Sequence, residues 1–183
     1  MRSAAAGART AGAERAGRPA SVEALVAQLR EGLGGEWPAR VYRERVLPLR
    51  TRSHAVPAAA SPAARVEVLH TLLGVELKVG RRRMSCPDLA TARYLSVFAR
   101  AGVREAAVPY DITKVSRAAD EMESAWQRMI LMADRLTEGR AKSARARLRS
   151  AARREVRREI EEAGAGAAVP QFRQETRQRP RRI

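Results

Sequence analysis

The sequence predicts a mostly helical α+β domain, with a small sheet of one β-hairpin plus one strand covered by helices and a helical hairpin at the C-terminal end. Three observations carry this. Apolar residues recur at helical spacing along most of the chain. The period changes to strict alternation in "VELKV" (75–79) and "RRMSC" (82–86), two strands separated by the two residues Gly80-Arg81. From Asp111 onward Val115, Ala119, Met122, Trp126, Met129, Ala133 and Leu136 step by four and three, a seam that asks for a partner helix.

A chain of 183 residues accommodates one core with tails. Residues 1–20 and 164–183 have the composition of disordered tails, the first rich in Ala, Gly and Arg, the second basic. They bracket a single domain, 21–163, with its core in 61–138 and a basic helix in 140–163. Within it, Ser21 caps a helix whose Val22, Leu25, Val26, Leu29 and Leu33 share a face, and Gly34-Gly35 end it. A second helical piece starts at "WPAR" with Pro38 in its first turn and stops before Pro48. "RTRSHAVPAAA" reads as a linker. Ser61-Pro62 reads as the start of a helix carrying Val66, Leu69, Leu72 and Leu73, which would end at Gly74. After the hairpin, "PDLATARYLSVFARAG" is an amphipathic helix with Asp88 at its start and Gly102 as terminator, and "VREAAVP" is a third strand closed by Pro109. Gly139 divides the remaining helical region in two, which favours a fold-back hairpin over a seam of Met122, Trp126 and Met129 buried in a homodimer.

Charge bounds the partners. Lys and Arg number 36 against 20 Asp and Glu, a net charge of +16, and only Lys78, Lys114 and Lys142 are lysine, a bias that resembles the proteome of a high-GC bacterium. Such an excess attracts phosphate backbones, and guanidinium groups bind phosphate bidentately. The arginines fall in three zones. "RVYRERVLPLRTR" is the first. In the helix after Gly139, Arg140, Lys142, Arg147, Arg149, Arg153, Arg154, Arg157 and Arg158 cover the side opposite Ala144, Leu148, Ala152 and Val156. The tail adds Arg177, Arg179, Arg181 and Arg182 among others, and Arg81, Arg82 and Arg83 stand at the hairpin. The acidic residues Asp120, Glu121, Glu123, Asp134 and Glu138 of the preceding helix are the candidates to neutralise part of this band. These zones predict association with DNA or RNA through phosphates, without a metal or other cofactor.

One cysteine, Cys86, excludes an internal disulfide and suits a reducing cytoplasm; with only His54 and His70 it makes no zinc site. Asp88 and Asp111 are explained as helix caps, Cys86 as a small buried residue, and His70 as packed on its helix. No run of 18 apolar residues exists.

The order "VELKVG", second strand, "LATARYLSVFARAG", "VREAAVP" resembles the PD-(D/E)XK, restriction-endonuclease-like nuclease core over about residues 65–110. The resemblance implies a Mg2+-dependent nuclease in which Glu76 helps bind the metal and Lys78 positions the attacking water. The family's acidic residue on the preceding strand has no aspartate to match it, and Glu67 is the nearest substitute. A self-associating helical scaffold built on the Met122, Trp126, Met129 seam is the third reading.

Overall fold

The computed structural model describes residues 21–57, 59 and 64–166. The architecture is α+β, with five helices and five strands among the described residues. Helix α1 (Val22–Leu33) leads through a single 3-10 turn into α2 (Pro38–Val41), which continues as a π-helical turn to Val46. Strand β1 (Thr51–Ala55) follows, then the meander β2 (Val66–Thr71), β3 (Gly74–Val79) and β4 (Arg82–Cys86). Helix α3 (Leu89–Ala101), strand β5 (Glu105–Pro109) and the long helices α4 (Ile112–Leu136) and α5 (Lys142–Ala163) complete the chain.

The helices form where local chemistry starts and stops them. The Ser21 hydroxyl accepts from the Ala24 N–H, the Asp88 carboxylate from Thr91 N–H and the Asp111 carboxylate from Thr113 N–H, each satisfying an orphan donor of a first turn. Gly102 ends α3 in the left-handed region at φ 84°, where a side chain is strained. On α4 the predicted seam is buried from Val115 to Ala133, covered chiefly by α3 and for the rest by α1, α2 and α5. Helix α5 folds back after Gly139 and buries Leu148, Ala152, Val156 and Ile160. Met122, Trp126 and Met129 are therefore covered within one chain, which corrects the reading that offered them to a second copy.

The strands form two antiparallel sheets, β2-β3-β4 and β1-β5. In the first, Val68, Leu77 and Met84 lie in one cross-strand row on the face turned to α3. The hairpin turn at Gly80-Arg81 stands where the alternation placed it. Two sequence readings are corrected. The stretch read as a helix through Leu72 and Leu73 is strand β2 and its turn, and His70 is exposed on that strand. Val66 and Val68 alternate, β-branched residues favour the strand, and the leucines that mimicked helical spacing are the exposed corner of the turn. The stretch read as a linker contains β1, whose polar sequence gives no alternation and whose partner is far along the chain. Ser61 and Pro62, and both tails up to Ala20 and from Ala167, lie outside the described residues.

One core runs through the whole described chain, from Leu25 on α1 to Ile160 on α5, and so exceeds the expected 61–138. At its centre Phe98 meets Tyr42 edge-on, at 5.4 Å between ring centres, and Tyr94 in a tilted pair at 4.8 Å. The two phenols also serve β5. Ala107 N–H donates to the Tyr42 hydroxyl at 2.9 Å, and the Tyr94 hydroxyl donates to the Ala107 carbonyl at 2.7 Å. The Tyr42 hydroxyl in turn donates to the Gly164 carbonyl at 2.7 Å. Burial pushes the Tyr94 phenol well above its usual pKa, so it stays a donor.

This packing predicts three outcomes. Tyr42→Phe strands a buried N–H and a carbonyl and should lower unfolding stability by about 1–3 kcal/mol, read from urea melts. Leu148→Ala should cost about 2–5 kcal/mol, since it opens a cavity under α5. Sedimentation equilibrium of the wild type should give the mass of one chain at all concentrations, because the seam is already covered.

Candidate nucleic-acid interface

Arginines from three elements converge beside the C-terminal end of α3. The β3–β4 turn presents Arg81 and Arg82, the approach to β5 presents Arg104, and α5 presents Arg153 and Arg157 one helical turn apart. Together with Val56, Val79 and Gly102 the first three and Arg157 line a groove of about 710 Å³. The arginines of α5 pass directly over Gly102: a Cβ there would stand in ordinary contact, 3.6 Å from Arg153 Nη2 and 3.8 Å from Arg157 Cδ. The neck of the groove is closed by Val56 N–H donating to the Arg104 carbonyl at 2.8 Å.

Charge in the groove is poorly compensated. Arg157 pairs with Glu161 at 2.8 Å, whereas Arg81, Arg82, Arg104 and Arg153 have no acidic partner among the described residues. Arg153 is part-buried; burial, and then Arg157 beside it, lowers its pKa from the ordinary guanidinium value. A second hollow continues past Arg153, lined by Arg100, Arg149, Trp126 and Ile130. Converging, partly desolvated positive charges of this kind are stabilised by an anion and by little else.

The acidic residues of α4 do not relieve this. Asp120 and Glu123 both bind Arg93 of α3, at 2.8 and 2.6 Å, and Glu121 binds Arg117 and Arg45. Only Asp134 reaches α5, taking the Arg149 Nε at 2.9 Å and lying 3.8 Å from Arg145. Neutralisation therefore stops one turn short of Arg153.

The arginines singled out in the sequence separate into groups. Arg81, Arg82 and Arg157 meet in the groove, with Arg153 and Arg149 in the hollow beside it. Arg154 and Arg158 lie on the other side of α5, against α1, where Arg158 pairs with Glu155 and Glu162 at 2.6 Å. Arg147 is nearer the start of α5, against Val22 and Glu23, and Arg140 and Lys142 are exposed before it. Arg83 points to the outer sheet face and pairs with Glu76 at 3.4 Å. Arg177, Arg179, Arg181 and Arg182 lie outside the described residues. Sequence reasoning missed Arg104 and Arg100. Their only signal is position, one on each side of the glycine that the arginines of α5 pass over.

The structure does bring Glu67, Glu76 and Lys78 together. Glu67, expected on a helix, stands on β2 directly opposite Lys78, and Glu76 lies on the same outward face one row along. Both carboxylates are engaged: Glu67 pairs with Lys78 at 3.2 Å and Arg65 at 2.9 Å, and Glu76 with Arg83. Among the described residues no group of three Asp, Glu, His or Cys is placed to hold a metal ion. Two carboxylates already in ion pairs on an open strand face do not fit a resident Mg2+, which takes six oxygens at near-octahedral geometry. Cys86 is buried and burial pushes its thiol up, away from the thiolate a nucleophile needs. Among the described residues no helix is long and apolar enough to cross a membrane.

The ion-pair pattern makes a separable prediction. Arg149→Gln should lower thermal stability slightly, by up to about 1 kcal/mol, since its pair with Asp134 is half exposed. Arg153→Gln should leave the melting temperature unchanged or raise it, because it removes an uncompensated charge. Set against known proteins, the chain matches no protein-family model, no curated protein and no solved structure.

Proposed function

We propose that the protein binds nucleic acid, DNA or RNA, by seating backbone phosphates in the groove between the β3–β4 turn, the start of β5 and α5. The observation that carries this is the meeting of Arg81, Arg82 and Arg104 in one groove with no acidic partner among the described residues, while the part-desolvated Arg153 stands beside it at Gly102. A polyanion supplies several phosphates at once, and three separate elements can each take one. The net charge of +16 adds long-range attraction. A single buried thiol suits the reducing cytoplasm, where nucleic acid is accessible.

Binding should then fall linearly in log–log form with salt, for duplex and single-stranded DNA and RNA alike. Each of Arg104→Gln and Arg153→Gln should reduce the magnitude of that slope by about 1 and weaken affinity similarly for all sequences. Truncation before Gln171 removes five arginines and should reduce the slope further. Affinity that does not change between low and moderate salt overturns the reading. The same panel incubated with Mg2+ tests the outer sheet face: cleavage lost in Glu76→Gln and Lys78→Arg would place a nuclease activity there rather than simple binding.

A further inference from the structure

On the far side of α5 from the groove, a cleft of about 800 Å³ opens between α1, α2 and α5. Its floor holds an uncommon feature, the carboxylate of Glu159, whose side chain is only 4% exposed. One oxygen accepts from the Trp37 indole N–H at 3.1 Å, and the other faces Arg30 Nη2 at 3.3 Å and Arg43 Nη2 at 3.8 Å. Burying a carboxylate is costly unless it is paired, and here the pairing has a directional result. It draws two half-exposed guanidinium groups from different helices towards the same space, Arg30 also lying 3.7 Å from Glu155 on the cleft wall, while Arg43 keeps most of its N–H groups unused. Arg154, which has no acidic partner among the described residues, faces them from α5. The opposite wall is apolar, made by Val22, Val26 and Ala27 of α1.

We infer that this cleft binds a phosphomonoester with an apolar or aromatic body, a nucleotide being the simplest, either free or as the phosphorylated end of a strand. Arg30, Arg43 and Arg154 receive the phosphate, and Glu159 acts as the positioning residue that holds the first two in place. The body packs on the α1 wall and on the planes of the arginines. Glu23 and Glu31 at the lip repel an extended backbone, so the cleft takes one anionic head where the groove takes several phosphates. The inference is independent of the groove, because it uses none of the same arginines.

The test follows the indole N–H resonance of Trp37, assigned by its loss in Trp37→Phe, in the full-length protein. Titration with AMP should shift it saturably, and adenosine and inorganic phosphate should each bind at least about tenfold more weakly, as each lacks half of the recognised chemistry. Arg43→Gln and Arg154→Gln, both at exposed side chains, should weaken AMP about tenfold each, and Arg153→Gln in the groove should not. A 5′-phosphorylated dinucleotide that binds more tightly than AMP assigns the site to strand ends, and the reverse assigns it to free nucleotides. No saturable shift, equal affinity for AMP and inorganic phosphate or adenosine, or an AMP response unaltered in Arg43→Gln and Arg154→Gln overturns the inference. The last two outcomes leave the salt dependence at the groove untouched, so each reading can fail alone.

Discussion

The hydroxyl of Tyr42 accepts from the Ala107 N–H and donates to the Gly164 carbonyl, so one oxygen ties α2, β5 and the end of α5 to a single point. Tyr94 completes the arrangement from α3 by donating to the Ala107 carbonyl. In a larger sheet the free edge of β5 would be met by another strand. Here two phenols occupy it, satisfying the backbone as a neighbouring strand would while placing rings rather than a strand against Phe98. That edge of β5 accordingly meets no further strand among the described residues. The arrangement also fixes where α5 lies, and thereby which of its faces meets α3 and which meets α1. Past the helix, Gly166 runs so close to β1 that a Cβ would stand 2.5 Å from Thr51 Oγ1, so the close approach to the β1–β5 ribbon leaves room for no side chain there.

Electrostatics then divides the surface. The acidic half-turns of α4 are used by Arg93, Arg117 and Arg45, and α5 pairs Arg157 and Arg158 with its own Glu155, Glu161 and Glu162. The exterior is locally balanced where these pairs form, and cations without an acidic partner among the described residues remain on several elements, with Arg81, Arg82 and Arg104 converging in the groove beside Arg153.

The helices were legible because their signals are local: Ser21, Asp88 and Asp111 bond their own first turns, and Gly102 ends its own helix. The β3–β4 hairpin was legible for the same reason. Strand β1 was not, since Arg52, Ser53 and His54 acquire strand geometry only by pairing with Val108, Ala107 and Ala106 some fifty residues later. For β2 two periods competed in one stretch, and the decision fell to the buried row of Val68 against Leu77, which a helix cannot make. The groove was half legible. Arginines on α5 and at the hairpin were visible in sequence, but their meeting with Arg104, and the diversion of α4's acids to α3, depend on which faces the helices turn to one another. In "VELKV" the alternation made the strand legible, with Glu76 and Lys78 on its polar face, whereas the ion pairs on that face are a property of neighbouring strands.

The bond from Val56 N–H to the Arg104 carbonyl closes the β1–β5 ribbon around everything between them, so the meander and α3 form a large loop whose two ends are clasped together. The unpaired arginines stand at that clasp. Mutual repulsion there works against the closure in the free protein, and an anion between them changes the sign of that contribution. On the proposed function, phosphate bound at this position would favour the closed clasp over an opened one by mass action.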